Sequence, residues 1–212
     1  MSKAFLFDLN GTMIDDMEYH INAWYKILND LGASISYEET KHQCYGKNHE
    51  LLERIFPGRF TLQEKDAMSL EKERQYQQAF LPELKLIKGL DVFLKDAYNK
   101  KTPMAIGSAA IMFNIDFVLD GLNIRHYFSA IVSADDVKES KPHPETYLQC
   151  AEQLGVKPAD CIVFEDAPKG VEAAANAGMQ AVVITTMHEK DEFSSYHNIH
   201  SIIKDFEGFQ IN

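Results

Sequence analysis

The sequence predicts an α/β protein with a Rossmann-like parallel sheet flanked by helices and a helical domain inserted after the first strand. Three observations support this fold class. The chain begins with an apolar run, and short apolar runs alternate with helix-like segments through its second half. Between these parts, residues 17–82 have helical spacing and no strand-like run. Alternation of strands and helices is typical of parallel sheets with helices on both faces.

The strands of the sheet are predicted from short apolar runs. The first is Ala-Phe-Leu-Phe at residues 4–7, which ends at Asp8 and leads into a turn at Asn10-Gly11. Later strands are predicted at residues 103–108, 130–133, 161–164 and 181–185, and helices at residues 111–119, 145–154 and 171–177. Gly155 and Gly178 follow two of these helices, as is common at helix C-termini.

The inserted region is predicted to be entirely helical. The apolar residues between positions 21 and 31 fall on one helical face, and Gly32 ends that helix. Further helical patterns cover residues 37–43, 49–56 and 62–80. We therefore expect an α/β core domain made of residues 1–15 and 86–212, and a helical domain made of residues 16–85.

The composition indicates an ordinary soluble globular protein. Of 212 residues, 45% are hydrophobic and 25% are charged, and Lys+Arg 21 against Asp+Glu 32 gives a net charge of −11. This charge disfavours nucleic acid and anionic membranes as partners. The odd number of cysteines argues against a disulfide framework, and no apolar run approaches the roughly 18 residues of a membrane span. We expect a cytoplasmic protein that is a monomer or a weak dimer.

Polar residues follow four of the predicted strands. Because ligands bind outside the carboxyl ends of parallel strands, these residues should meet at one edge of the sheet. They are Asp8, Asn10 and Thr12 after the first strand, Ser108 after the second, where Ala109 follows it with its backbone groups, Lys141 after the third, and Glu165 and Asp166 after the fourth. The sequence therefore predicts a site at this edge.

These motifs resemble those of the haloacid dehalogenase superfamily, and most closely its β-phosphoglucomutase-like phosphatases and phosphomutases. The stretch FDLNGT resembles motif I, Ser108 in AIGSAA motif II, Lys141 in ESKPHPE motif III, and Glu165-Asp166 in FEDAPKG motif IV. The inserted helical segment, with EYHINAW at residues 18–24, resembles the C1-type cap domain. The four motifs occur in the family's order and span most of the chain.

The resemblance implies a role for each of these residues. Asp8 would be the nucleophile that forms an aspartyl phosphate, since covalent catalysis divides a difficult displacement into two easier ones. Lys141 would contact both Asp8 and the phosphoryl oxygens. Ser108, Thr12 and backbone groups near Ala109 would hold the phosphoryl group.

The implied cofactor is Mg²⁺, which favours a few carboxylates together with water and substrate phosphate. Asp8 and Asp166 would ligate it through carboxylates, Asn10 through its backbone carbonyl, and Glu165 directly or through a water. In the helical domain, His20, Lys47 and His49 are the residues that we expect near the distal part of a substrate. A domain of this kind closes over the substrate and excludes water.

Asn10 departs from the family pattern, in which an aspartate two residues after the nucleophile protonates the leaving group and activates water. An amide cannot exchange protons in this way, and losing general acid–base help typically costs about 10²–10⁴ in rate. Three explanations compete: a slow phosphatase whose leaving group needs no proton, a variant with impaired transfer, or an Asn10-Gly11 pair that deamidates partly to aspartate.

The predicted function is hydrolysis of a small phosphorylated metabolite such as a sugar phosphate. A β-phosphoglucomutase is the first alternative. It is disfavoured because Ile111, Met112 and Phe113 stand where the mutases hold a second phosphate with polar and basic residues. A second alternative is a non-catalytic protein that binds phosphorylated metabolites. A dehalogenase is disfavoured, because its motif IV lacks the Glu165-Asp166 pair.

Overall fold

The computed structural model describes residues 3–211. In chain order, the strands are β1 Ala4–Phe7, β2 Met104–Gly107, β3 Ala130–Val132, β4 Cys161–Glu165, β5 Gln180–Ile184 and β6 Ile199–Ile203. The helices are α1 Met17–Asp30, α2 Tyr37–Gln43, α3 Asn48–Ile55, α4 Leu62–Phe80, α5 Leu90–Asn99, α6 Met112–Gly121, α7 Glu145–Leu154 and α8 Pro168–Asn176. The protein is an α/β protein, as predicted.

The six strands form one parallel sheet in the order β3-β2-β1-β4-β5-β6. Strand β1 lies in the middle, where Phe7 pairs with Ile106 of β2 on one side and with Phe164 of β4 on the other. This register places Asp8 and Ser108, which follow β1 and β2, beside Glu165, the last residue of β4, at the carboxyl edge. Asp8, Ser108 and Glu165 are therefore delivered to the same place by backbone pairing alone.

The two faces of the sheet are buried in different ways. Side chains alternate along a strand, so Ala4 and Leu6 face the cluster that contains small residues of α7 and α8 such as Cys150 and Ala174. The rings of Phe5 and Phe7 join an aromatic cluster on the other face, where Phe7 and Phe164 stack with centroids 4.4 Å apart. Burial on both faces explains why the strands read as short apolar runs.

Two elements of the sheet unit were not predicted. Helix α5 buries Leu90, Leu94 and Ala97 at helical spacing, and it directly follows the expected domain boundary. Strand β6 forms the edge of the sheet, and its residues are partly exposed, so it lacks the apolar run that marks the other strands.

Helix α8 begins at Pro168, which is three residues before the predicted start, because proline suits the first turn of a helix.

The chain divides into two compact units, one of residues 1–15 and 85–212 and the other of residues 16–84. The second unit contains α1 to α4, and its core includes Trp24, Leu28 and Leu52. It also buries a polar network, in which Asp16 accepts hydrogen bonds from Tyr76 and His20. That this unit acts as a cap over a substrate remains a prediction. No helix of residues 3–211 has both the length and the apolar character needed to cross a membrane.

Candidate active site

Asp8 is the first residue beyond the central strand, and the residue is 8% exposed. Its backbone N–H donates to the carbonyl of Phe164 at 2.9 Å, which continues the pairing between β1 and β4. This bond fixes the backbone from which the Asp8 carboxylate projects. A short strand with neighbours on both sides therefore holds the predicted nucleophile rigidly.

Lys141 joins the ends of β1 and β4. It lies in the loop between β3 and α7, and its Nζ is 2.7 Å from Asp8 Oδ1 and 2.7 Å from Glu165 Oε1. An ammonium group has three hydrogens to donate. Among the described residues two carboxylates accept from it, which leaves one further hydrogen beyond these two bonds.

Glu165 and Asp166 are both buried and differ in how they are held. Glu165 Oε2 accepts hydrogen bonds from the backbone N–H groups of Asp166 and Ala167. Asp166 Oδ1 accepts a bond from the Thr12 hydroxyl at 3.1 Å. Thr12 is fully buried, so its observed contact orients a carboxylate, and its contact with substrate remains a prediction.

Two glycines allow these carboxylates to approach the backbone. Gly11 has a φ of +74°, and a Cβ atom built there would lie 2.1 Å from Asp166 Oδ2. A Cβ atom on Gly170 of α8 would lie 1.8 Å from Glu165 Oε1. Any larger residue at either position would displace a carboxylate of the site. Sequence reasoning missed Gly170, although a glycine inside a helix often has a packing reason.

Ser108 follows β2, where its N–H donates to the carbonyl of Val132 at 2.9 Å. Its Oγ accepts a hydrogen bond from the N–H of Ala110 at 3.1 Å, which leaves the hydroxyl hydrogen free to point elsewhere. Ala109 is half-buried in the turn between them. These contacts are compatible with the predicted phosphate-binding role and do not test it.

Asn10 lies in the turn after β1, where it is half-buried and bridges to Ile14. The same turn is closed by a bond from the Met13 N–H to the Leu9 carbonyl at 2.8 Å. The residue is thus two positions beyond Asp8 in an ordered turn. Its predicted contact through the backbone carbonyl with a metal ion remains a prediction.

Burial and mutual repulsion dominate the electrostatics of the site. Burial raises the pKa of Asp8 from 3.8 to about 7, although Lys141 acts in the opposite direction. Burial, together with Glu165 and Asp8, raises the pKa of Asp166 well above its usual value. Burial alone would lower the pKa of Lys141, but Asp8 and Glu165 outweigh it and raise that pKa, so Lys141 is charged. The site therefore has more buried carboxylates than one lysine can neutralise.

This excess of negative charge fits a divalent cation. Asp8, Glu165 and Asp166 can each present a ligand atom within 4.8 Å of the others, and all three are buried. Carboxylate oxygens are the donors that Mg²⁺ prefers. Removing such carboxylates from water is costly unless a cation compensates them. The donor set and its burial therefore suit a hard divalent ion.

Three of the predicted site residues lie in the unit of residues 16–84. His20 is buried, with Nε2 3.2 Å from Asp16 Oδ2 and Nδ1 2.5 Å from Lys72 Nζ. Lys47 precedes α3, and its backbone N–H donates to the Glu50 carboxylate. The Nε2 of His49 lies 2.9 Å from Asp66 Oδ1. Their proposed contacts with substrate remain predictions.

Tyr147 is a buried polar residue of the site that sequence reasoning missed. It lies in α7, is 0% exposed, and its hydroxyl donates to Glu165 Oε1 at 2.8 Å. Its ring centroid is 4.7 Å from Lys141 Nζ. No signal in the sequence marks this residue, because it lies in the first turn of helix α7 and not at a strand end.

Comparisons with known proteins show which family the chain resembles. A family model described as haloacid dehalogenase-like hydrolase matches residues 5–184. The chain is 34% identical over 181 residues to a fructose-1-phosphate phosphatase of Escherichia coli, covering 84% of this chain and 93% of the relative. It is also 34% identical over 187 residues to a β-phosphoglucomutase of Bacillus subtilis, covering 85% and 82%.

A solved structure shares the complete fold. The β-phosphoglucomutase from Clostridium difficile superposes with a TM-score of 0.86 at 28% identity, covering 100% of this chain and 94% of that chain. The family model extends from within β1 to the end of β5 and so includes all the strands that deliver the site residues. This chain therefore belongs to the haloacid dehalogenase-like hydrolases and is a phosphatase or phosphomutase related to sugar phosphatases and β-phosphoglucomutases.

Proposed function

We propose that the protein hydrolyses a small phosphorylated sugar in a Mg²⁺-dependent reaction that passes through an aspartyl phosphate on Asp8. The observation that carries this proposal is the Lys141 bridge between Asp8 and Glu165, with Asp166 beside it. This arrangement places one carboxylate at the end of a strand with a fixed cation against it. The Lys141 ammonium group lowers the repulsion between this carboxylate and the negatively charged oxygens of a phosphoryl group, so that the carboxylate can attack the phosphorus.

In the first step, an Asp8 carboxylate oxygen forms a bond to phosphorus, and the bond between phosphorus and the sugar oxygen breaks. In the second step, a water oxygen attacks the phosphorus of the aspartyl phosphate, which releases inorganic phosphate and restores the Asp8 carboxylate. Lys141 neutralises charge on the phosphoryl oxygens with its third hydrogen, and the Ser108 hydroxyl donates to another oxygen.

Asp8, Asp166 and the backbone carbonyl of Asn10 would hold the Mg²⁺ ion, with Glu165 binding it directly or through a water. When bound, the ion would stabilise the negative charge that develops on the transferring group. The positive φ of Gly11 supports this assignment, because it brings the Asp166 carboxylate against the turn that carries Asn10.

Asn10 makes the reaction slow at the proton-transfer steps. The sugar oxygen leaves with negative charge and must take a proton from solvent, because an amide has none to give. The attacking water likewise loses its proton without a side-chain base at this position. The loss of rate should be smallest for substrates whose leaving oxygen is a weak base, because such an oxygen needs protonation least.

The residues after Ser108 favour a monophosphate substrate over a bisphosphate. The first turn of α6 carries Met112 and Phe113, and the Met112 N–H donates to Asp135 Oδ2 at 3.1 Å. A helix N-terminus is a natural anion site, but here a carboxylate of the protein already occupies it. A second phosphate would meet this negative charge, which supports hydrolysis over the mutase reaction.

The test is phosphate release from a panel that contains fructose 1-phosphate, glucose 6-phosphate and β-glucose 1-phosphate, each with Mg²⁺ or with EDTA. Fructose 1-phosphate is included because the relative from E. coli is named for it. We expect release that requires Mg²⁺, that is abolished in Asp8→Asn, and that is retained in the exposed control Asp91→Asn.

Two results would favour other functions. Conversion of β-glucose 1-phosphate to glucose 6-phosphate, primed by a bisphosphate and without net release, would identify a mutase. Binding of sugar phosphates without turnover, in both the wild-type protein and Asn10→Asp, would identify a non-catalytic binder.

A further inference from the structure

Tyr147 of helix α7 contacts two charged groups of the site, the Glu165 carboxylate and the Lys141 ammonium group. The Tyr147 hydroxyl donates to Glu165 Oε1 at 2.8 Å, and its ring lies 4.7 Å from Lys141 Nζ, within range of a cation–π contact. Tyr147 itself is fully buried among the residues of the sheet core. A buried tyrosine hydroxyl needs a hydrogen-bond partner, and the partner here is the Glu165 carboxylate.

The Glu165 carboxylate has no lone pair left over. Its Oε1 accepts from Lys141 Nζ and the Tyr147 hydroxyl, and its Oε2 accepts from the N–H groups of Asp166 and Ala167. A carboxylate offers about four lone-pair sites, and these four donors fill them. A metal ion could reach a Glu165 oxygen only by displacing one of these donors.

We infer that Tyr147 is a positioning residue, which locks Glu165 as the anchor of Lys141 and excludes it from direct ligation of the metal. This inference rests on the proposed function and assigns different duties to the two acids of motif IV. Asp166 ligates the ion, whereas Glu165 holds the lysine and acts on the ion at most through a water.

The position of Lys141 explains why the hydroxyl matters. Lys141 is shared between Asp8 and Glu165 at equal distances of 2.7 Å. If the Tyr147 hydroxyl were removed, Lys141 would be the one remaining donor to Glu165 Oε1 among residues 3–211, and the ammonium group would be drawn away from Asp8. Loss of a partner that orients a site residue typically costs about 10- to 100-fold in activity or metal affinity.

The first test is Tyr147→Phe, which keeps the ring and removes the hydroxyl. We expect kcat to fall about 10-fold with KM changed less than twofold, because ground-state binding of the substrate is unaffected. Tyr98→Phe, which removes a hydroxyl from a half-exposed tyrosine of α5, should leave both constants unchanged. Unchanged kcat in Tyr147→Phe would overturn the positioning role.

The second test is a double-mutant cycle that needs no turnover. In the wild-type protein, Tyr147→Phe should lower the unfolding midpoint by about 3 °C. In the Glu165→Ala background it should leave the midpoint unchanged or raise it, because the buried hydroxyl has then lost its partner. Equal losses in both backgrounds would show that Tyr147 does not act through Glu165. If Glu165→Ala does not fold, Glu165→Gln supplies the background.

The third test measures Mg²⁺ binding by calorimetry on the metal-free protein. We expect Glu165→Ala to weaken binding about 10-fold and Asp166→Ala to abolish it. Equal loss in the two variants would make Glu165 a direct ligand and overturn the inference, whatever the enzyme's substrate is. If the wild-type protein bound no Mg²⁺ at all, the proposed function would fail, while the midpoint cycle would still judge the link between Tyr147 and Glu165.

Discussion

Lys141 donates a hydrogen bond to Asp8, a residue 133 positions earlier in the chain, and the two atoms are 2.7 Å apart. Asp8 is held by the middle strand of the sheet, and Lys141 by the loop before α7. Burial raises the pKa of Asp8, and this ammonium group counteracts the rise. The pair is thus a means of keeping a carboxylate ionised in a place where burial would protonate it.

Replacing Lys141 by methionine should remove both activity and stability. The variant leaves Asp8 and Glu165 buried without a cation, and breaking a buried ion pair on one side costs about 3–5 kcal/mol. We expect no measurable phosphate release and a free energy of unfolding lowered by about 3 kcal/mol in urea titrations at pH 8. Lys138→Met, at an exposed position in the same loop, is the matched control. A stable and active Lys141→Met protein would contradict the role of this lysine.

Asn10→Asp should raise turnover, because it supplies a group that can give and take a proton. General acid–base catalysis contributes about 10²–10⁴-fold, and this is the increase in kcat that we expect with a sugar phosphate and Mg²⁺. The control is Asn99→Asp, which adds the same charge at an exposed position on α5. An unchanged rate would show that Asn10 does not limit catalysis. Peptide mapping of the wild-type sample should accompany the assay, since deamidated Asn10 would contribute activity of its own.

Gly170→Ala should disturb the site although it lies on a helix, where alanine is normally favoured by up to about 1 kcal/mol. The new Cβ atom would lie 1.8 Å from Glu165 Oε1 and would force that carboxylate away from Lys141. We expect a lower unfolding midpoint and lost activity in the wild-type background. In the Glu165→Ala background the same change should be neutral or stabilising. A loss of stability in both backgrounds would show that the clash is not with Glu165.

The metal-free protein should lose stability as the pH rises. The pKa of Asp8 is raised from 3.8 to about 7 in the folded protein, so its protonated form is favoured by folding. The contribution is complete below about pH 4 and is lost as the pH approaches 7 and passes it. Mg²⁺ should reverse the loss, because it binds the ionised carboxylates of the folded state.

Thermal unfolding from pH 5 to 8, with EDTA or with Mg²⁺, measures this linkage. Asp166→Asn should flatten the pH dependence in EDTA and abolish the response to Mg²⁺, since burial also raises the pKa of Asp166. Asp91→Asn, at an exposed position, should behave as the wild-type protein does. If the unfolding midpoint of the wild-type protein in EDTA did not change between pH 5 and 8, these carboxylates would not be destabilising when ionised.

Sequence reasoning located the strand ends well. Each predicted strand had an apolar core of buried residues, and the boundaries of β2 to β5 differ by one residue from those predicted. Parallel pairing then brings the residues after these strands together without further information. This is why the sequence alone places Asp8, Ser108 and Glu165 at one edge of the sheet.

Features that depend on packing between elements could not be predicted in this way. Strand β6 is an exposed edge, so burial does not impose an apolar run on it. The contact between Tyr147 and Glu165 depends on which face of α7 packs against the sheet. The spacing of apolar residues predicts that face, but it does not predict which side chain of the face reaches Glu165. The close approach of Gly170 to Glu165 likewise depends on how tightly α8 packs beneath the site.

The central place of β1 has a consequence for biosynthesis. The ribosome makes this strand before the other five described strands, yet its partners are Met104–Gly107 and Cys161–Glu165, so it emerges long before either neighbour exists. Residues 16–84 are contiguous and are made in the meantime. A nascent chain that stops short of β4 would expose one open flank of an apolar strand, which invites association with other chains. Translation must therefore proceed past residue 165 before β1 can pair with a neighbour on both sides.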